Sequence, residues 1–150
     1  MTLATSSAPT IHVPHIDYLS ILPMLIMLGG ALALMLVSSL LKQSMDARAG
    51  TIVASVVSVA ALVAGLVQWD HVATHGPSVT VAGAIAFDGF DVFVQITVAI
   101  AMLLTALVGD GYLRREGIDG PEYHVLAMVS ASGAMMMCSA NYLILVFLGL

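Results

Sequence analysis

The sequence is poor in charge. Only 9% of its 150 residues are Asp, Glu, Lys or Arg, and 60% are hydrophobic. Typical soluble domains carry about 25% charged and roughly 45–50% apolar residues. A chain of this length cannot bury so large an apolar fraction in one core, and soluble monomers avoid wide apolar surface patches. The composition therefore excludes an ordinary soluble domain and indicates a protein that lies in lipid.

Cysteine and basic residues are scarcer still. The single cysteine, Cys138, excludes an intrachain disulfide and a multi-cysteine metal site. No basic patch is interleaved with aromatic residues, so we expect no nucleic-acid partner. The first basic residue, Lys42, follows the first apolar run, so the charged leader of a secretory signal peptide is missing and the first apolar segment should be retained. No nucleophile–base pair, phosphate loop or dinucleotide-binding motif is present.

Uncharged apolar runs divide the chain into predicted transmembrane helices. As a helix, the first run, residues 19–41, would be about 35 Å long, enough to cross a hydrocarbon layer of about 30 Å. Further runs follow at 51–69, 92–108 and 124–140, and a fifth, at 141–150, is incomplete. We predict an all-α polytopic bundle in which residues 1–150 form the N-terminal part of one membrane domain, with four full transmembrane helices and the first half of a fifth.

The segments between these runs are polar. Residues 1–18 are predicted to be an exposed tail, because serines and prolines break any periodicity. The longest link, residues 70–91, has a Val- and Ala-rich centre at 78–87 around Gly83, which predicts a short extended or hairpin-like stretch. Residues 109–123 are rich in charge and glycine and are predicted to be a solvated loop. Asn141 marks a turn before the fifth run.

The positions of the basic residues predict an orientation. All four fall in two links, between helices one and two and between helices three and four. Loops retained in the cytoplasm carry Lys and Arg in excess. The tail and the 70–91 link have none, so we predict that the amino terminus lies outside and that helix five runs inward.

Small residues recur on one face of two predicted helices. In lipid such a face lets helix backbones approach closely, so we predict a packing seam on helix two and expect helix four to lie inside the bundle. Gly29 and Gly30 predict a close crossing or a local weak point in helix one. The two faces consist of Ala54, Ser58, Ala61 and Gly65 in helix two, and of Ala127, Ala131, Ala134 and Cys138 in helix four.

Several side chains have the chemistry of metal ligands. One histidine cluster lies in the N-terminal tail, where Pro14 precludes a regular helical face, and a second begins the longest link. We therefore interpret both as polar segments rather than metal sites. The ten methionines are interpreted as flexible packing residues rather than copper ligands. The two clusters are His12, His15 and Asp17 in the tail, and Asp70, His71 and His75 after helix two.

Five polar residues are candidates for a hydrated or proton-conducting path: Gln95, Thr97 and Thr105 in helix three, and Tyr123 and His124 at the start of helix four. Threonines usually bond to their own helix, and aromatic rings at a membrane boundary are usually interfacial anchors, so the structural interpretation is favoured. The four full predicted helices contain no Asp, Glu, Lys or Arg, from which ion pathways are built. We assign no catalytic, cofactor-binding or metal-binding residue.

The fifth run covers ten residues, about 15 Å of helix, which is half of the hydrocarbon thickness. A carboxylate at mid-membrane would cost several kcal/mol. We therefore expect the sequence to be a fragment of a longer polypeptide.

Two segments resemble subunit N of bacterial NADH:quinone oxidoreductase (complex I). Asp88-Gly89-Phe90 matches a D-G-F before helix three of that family. Residues 122–150 contain E-Y at the start of helix four, G-A-M-M-M near its end, and then S-A-N-Y-L and V-F-L-G-L. These are similar to the family's E-Y, G-M-x-x-M, S-A-N-x-L and L-F-L-G-L. The tail sequence P-H-I-D-Y at residues 14–18 resembles actinobacterial members.

The resemblance implies an antiporter-like fold of fourteen transmembrane helices with inverted five-helix repeats. It implies a bacterial cell-membrane subunit that translocates protons with energy from NADH oxidation and quinone reduction elsewhere in the complex. NADH, FMN, iron–sulfur clusters and quinone would then belong to other parts of the complex, and we expect this chain to bind no cofactor. Its partners would be the other membrane subunits and the lipid bilayer.

The resemblance also implies a proton path built from a central row of lysine, histidine and glutamate, whose first glutamate directly follows F-L-G-L. Here that motif ends at Leu150, so no path residue carries over. We expect the isolated chain to be inactive, and a proton flux into liposomes that contain it would contradict this. Two alternatives stay open: a related subunit of a multi-subunit sodium/proton antiporter, and a small standalone membrane scaffold.

Overall fold

The computed structural model describes residues 18–40, 47–80, 83–116 and 121–150. These residues are mostly helical, which confirms the helical class. The tail residues His12, His15 and Asp17 lie outside the described residues. In chain order the elements are α1 (Tyr18–Leu40), α2 (Ala47–His75), β1 (Ser78–Thr80), β2 (Ile85–Phe87), α3 (Gly89–Glu116), α4 (Glu122–Ser139) and α5 (Leu143–Gly149).

Three helices are long and apolar enough to cross a membrane, namely Tyr18–Leu40, Arg48–His75 and Gly89–Leu113. Their large apolar side chains face outward, as with Leu36, which is 63% exposed, and Val63, which is 53% exposed. α4 has 18 residues, and its polar first turn and interspersed serines lower its hydropathy. A fourth full span therefore stays a prediction.

Two helices are longer than the uncharged runs predicted. α2 continues beyond residues 51–69 to His75, and α3 extends beyond residues 92–108 in both directions, from Gly89 to Glu116. Residues 70–75 and 109–116 are thus helical rather than part of a link or loop. The prediction was wrong because it ended each helix at the first charge. Polar side chains at a helix end reach water while the backbone hydrogen bonds continue beneath them.

The link between α2 and α3 contains the predicted hairpin. β1 and β2 are antiparallel, with Ser78 opposite Phe87 and Thr80 opposite Ile85, which confirms the prediction for residues 78–87. Gly76 ends α2 with φ +81°, and its N–H donates to the Val72 carbonyl at 2.9 Å. This left-handed backbone is one that glycine adopts without strain.

The bundle core is formed mainly by methionine and alanine side chains. α2 packs against α1 and α3, whereas α4 packs against α1, α3 and α5. α4 thus has neighbours on three sides, in agreement with its predicted place inside the bundle. Among the described residues, the buried members of this central cluster are Met27, Ala31, Leu34, Ala54, Ala61, Ala99, Met102, Ala106, Met128 and Met135.

The two small-residue faces differ in burial. The face of α2 with Ala54, Ser58, Ala61 and Gly65 is buried, which confirms the predicted seam. On α4 the small-residue face, from Ala127 to Cys138, is half-buried, and its Ala127 and Ala131 pack against the core. The buried residues of α4 are His124, Met128, Ser132, Met135 and Ser139.

The two adjacent glycines of α1, Gly29 and Gly30, differ in their surroundings. A Cβ on Gly30 would lie 2.5 Å from a methyl group of Val57, so α1 crosses α2 closely at this point. A Cβ on Gly29 would meet no atom within 4 Å. The predicted close crossing is therefore confirmed at Gly30 alone.

Candidate functional site

Buried polar side chains of the described residues form clusters at both ends of α3. The hairpin-end cluster consists of Asp91, Gln95 and Ser139, and the far-end cluster consists of Thr51, Asp110 and His124. Asp91 and Asp110 are 19 positions apart on α3, which corresponds to about 28 Å of helix. The hairpin-end cluster joins α3 directly to α4, and the far-end cluster joins them through Thr51 of α2.

The hairpin-end cluster is the more deeply buried. Asp91 and Gln95 are each 1% exposed, and Ser139 is 7% exposed. The Ser139 hydroxyl lies 2.6 Å from Asp91 Oδ1, and Gln95 Nε2 donates to Asp91 Oδ2 at 2.8 Å. Gln95 Nε2 also lies 3.3 Å from Ser139 Oγ, whose third contact is the Met135 carbonyl at 3.1 Å.

The start of α3 places Asp91 in this cluster. Asp88, from the D-G-F segment, caps the helix: its Oδ1 accepts a hydrogen bond from the backbone N–H of Asp91 at 2.8 Å. Asp91 therefore lies in the first turn, and Gln95, four residues later, lies on the same face. The uncharged-run prediction began this helix at residue 92 and missed Asp91. The signals that would have found it are the capping Asp88 three residues before it and the four-residue spacing from Asp91 to Gln95.

The far-end cluster joins three helices. Thr51 Oγ1 on α2 donates to Asp110 Oδ1 on α3 at 3.1 Å and lies 3.4 Å from His124 Nε2 on α4. His124 is 1% exposed, whereas Tyr123 is 38% exposed. The interfacial-anchor interpretation therefore fits Tyr123 but not His124, whose ring is enclosed. An imidazole, a hydroxyl and a carboxylate in contact are groups that can exchange protons.

The other predicted candidates have structural roles. Thr97 and Thr105 donate to the carbonyls of Phe93 and Ala101 in their own helix, each at 2.8 Å. His71 and His75 are exposed at the end of α2, and their rings stack with centroids 4.3 Å apart. Within the described ranges, no group of three or more His, Cys, Asp or Glu side chains is placed to hold a metal ion.

Apolar helices long enough to cross a membrane, joined by polar clusters near their ends, define a multi-pass helical membrane protein. No protein-family model matches the chain. The chain is 32% identical over 129 residues to NADH-quinone oxidoreductase subunit N of Beijerinckia indica, a match that covers 86% of this chain and 26% of the relative. It is 31% identical over 137 residues to the protein of the same name from Parvibaculum lavamentivorans, covering 89% of this chain and 26% of that relative.

A chloroplast relative extends the comparison. NAD(P)H-quinone oxidoreductase subunit 2 of Zygnema circumcarinatum is 28% identical over 92 residues, which are 61% of this chain and 18% of the relative. The chain is thus a homologue of NADH-quinone oxidoreductase subunit N, which confirms the resemblance found in its motifs. It spans about a quarter of the length of the bacterial relatives.

Proposed function

We propose that this chain supplies scaffold helices to a proton-translocating membrane subunit of a bacterial NADH-quinone oxidoreductase. The observation that carries the proposal is the similarity to subunit N over 86% and 89% of the chain in two relatives. In this proposal, electrons pass from NADH to quinone through flavin and iron–sulfur centres in other subunits. The membrane subunit uses the released energy to move protons, and the present chain binds no cofactor.

The interior of the described helices supports a scaffold role. Methionine and alanine fill the middle of the bundle, and the ionisable side chains of the described helices lie toward the helix ends. Ion pathways need ionisable or hydrated groups at membrane depth, and they would have to be completed by other parts of the protein. The exposed apolar side chains of α5, such as Leu143 at 87% and Phe147 at 80%, offer a surface for lipid or for further helices.

Co-purification from the native host tests this function. The protein is tagged at its chromosomal locus, solubilised in mild detergent, purified and identified together with its partners by mass spectrometry. We expect subunits that carry flavin and iron–sulfur clusters, together with NADH:quinone reductase activity in the eluate. The small membrane subunits of a sodium/proton antiporter would contradict the proposal, as would a protein that purifies alone. An unrelated multi-pass protein with the same tag controls for non-specific capture.

The orientation is part of the proposal, with the amino terminus outside the cell. In a Cys138→Ser background, Thr74→Cys should react with a membrane-impermeant maleimide in intact cells, because Thr74 is exposed at the hairpin end of α2. Gly117→Cys, between α3 and α4, should react only after permeabilisation. This pattern follows from the four basic residues near the opposite helix ends. The reverse labelling pattern would overturn the topology.

A further inference from the structure

We propose that Asp91 is a proton-binding site, whose carboxyl group holds a proton at neutral pH and exchanges it within the hairpin-end cluster. The site is independent of the proposed function, since it is defined by the contacts of Asp91, Gln95 and Ser139 alone.

The contacts of the Ser139 hydroxyl indicate the proton. A serine hydroxyl has one hydrogen to donate and two lone pairs to accept. Its three neighbours are Asp91 Oδ1 at 2.6 Å, Gln95 Nε2 at 3.3 Å and the Met135 carbonyl at 3.1 Å. The carbonyl can only accept and the amide nitrogen can only donate. All three contacts are hydrogen bonds at once only if the remaining neighbour, Asp91, is protonated and donates to Ser139.

The Gln95 amide is compatible with this proton. Gln95 Nε2 contacts Asp91 Oδ2 and Ser139 Oγ, while Oε1 is buried without a hydrogen-bond partner among the described residues. With the acid proton on Asp91 Oδ1, Oδ2 remains an acceptor for the Gln95 N–H.

The charges around the cluster also favour the neutral form. Asp88 on α3 has the same sign as the Asp91 carboxylate and acts on it, and Cys138 on α4, which also interacts with Asp91, supplies no positive charge. On α2, His71 and His75 are exposed and stack on each other, and the His71 ring also lies 6.3 Å from the Phe87 ring. The sequence places all four Lys and Arg residues at or beyond the opposite helix ends. A buried carboxylate without a cation is costly at membrane depth.

The start of α3 keeps the charged form accessible. The positive end of the helix dipole and the two hydrogen bonds to Asp91 both stabilise an anion, so a proton can leave and return. A cavity of about 30 Å³ beside Ser139, also lined by Ser20 and Ile85, has room for roughly one water molecule. The cavity reaches Ser139 rather than Asp91, so Ser139 relays the proton: a hydronium ion gives a proton to the Ser139 oxygen, the hydroxyl proton passes to Asp91 Oδ1, and a water molecule and the neutral acid remain.

Infrared spectroscopy of the full chain in liposomes tests the site. A protonated carboxyl group has a carbonyl band that carboxylates lack and that shifts in D₂O. At neutral pH we expect this band in the wild type, its loss in Asp91→Asn, and its retention in Asp70→Asn, which removes an exposed acid from α2. Identical wild-type and Asp91→Asn spectra would overturn the proposal.

Two further measurements make the result independent of how well one variant folds. In the wild type alone, the band should disappear as the pH is raised, and a band that never titrates would contradict exchange.

The second measurement is thermal stability. Asparagine has the shape of the neutral acid, with a donor for Ser139 and an acceptor for Gln95. Asp91→Asn should therefore keep the wild-type Tm, whereas Asp91→Leu should lower it. An Asp91→Asn chain that fails to fold would show that the carboxylate is the native form and would reject the proposal.

Discussion

Replacing Gly133 by leucine should detach α5 from α4 and lower the free energy of unfolding by about 3 kcal/mol or more. A Cβ on Gly133 would clash with the backbone carbonyl oxygen of Gly149, and a Cβ on Gly149 would lie 2.9 Å from the Gly133 carbonyl. The two backbones are therefore in direct contact, as in other membrane helix pairs that cross at small residues. A backbone cannot rotate away as a side chain can, so the helices must separate.

The same substitution at Gly29 is the matched control. Gly29 lies on an exposed face of α1, and no atom lies within 4 Å of a Cβ built there. Gly29→Leu should leave the free energy of unfolding unchanged or raise it by up to about 1 kcal/mol, since leucine is the better helix former. Both variants are measured by SDS-induced unfolding of the full chain in mild detergent, followed by circular dichroism. Equal stabilities for the two variants would contradict the described contact between α4 and α5.

Replacing Ala61 by phenylalanine should lower the free energy of unfolding by about 2 to 3 kcal/mol, because it overpacks the seam of α2. Ala61 is 1% exposed and belongs to the bundle core. One turn further along the same face, a Cβ on Gly65 would lie 2.9 Å from Ile96 Cγ1, so α3 leaves little room there. An aromatic ring at Ala61 must therefore push neighbouring helices apart.

Ala60 provides the control for this prediction. It is the adjacent residue of α2, has the same side chain and is exposed. Ala60→Phe places its ring on the outer surface, where lipid or detergent accommodates it, so its stability should stay within about 0.5 kcal/mol of the wild type. The thermal unfolding of both variants is compared in the same detergent. If Ala60→Phe were the more damaging variant, the assignment of the buried face of α2 would be wrong.

The sequence was sufficient to predict the order of the elements. Uncharged runs marked the centres of the helices, because only side chains that tolerate lipid can occupy membrane depth. The run around Gly83 marked the hairpin, since glycine permits the turn and Val and Ala suit short strands. The helix ends were less predictable. Asp70 and Asp110 lie inside helices, because the backbone bonds do not depend on whether a side chain is charged.

The hairpin-end cluster was not predictable from the uncharged runs. Asp91 and Ser139 are 48 residues apart, and the S-A-N-Y-L motif that begins at Ser139 does not indicate its partner. The contact depends on which face α4 turns toward α3, and that face is not the small-residue face of α4. Gln95 was singled out as a polar residue in an apolar run, yet its partners could be found only once the two helices were placed side by side.

Asn141 joins the two irregular segments of this end of the molecule. Its side-chain amide donates to the Gly83 carbonyl at 2.8 Å, and its backbone N–H donates to the Ala84 carbonyl at 2.9 Å. Ile85 and Ala140 form an isolated β-bridge next to it. The loop between α2 and α3 is thus held by the turn between α4 and α5.

This junction has a consequence for biosynthesis. The Gly83 carbonyl and its donor are 58 residues apart, so at translation rates of roughly 5 to 20 residues per second the loop waits about 3 to 12 s for its partner. α3 and α4 are made during that interval. The strands of the hairpin can pair with each other earlier, but the contact between its turn and Asn141 forms only after α4 has been made, so that contact marks the step at which α4 joins the earlier helices.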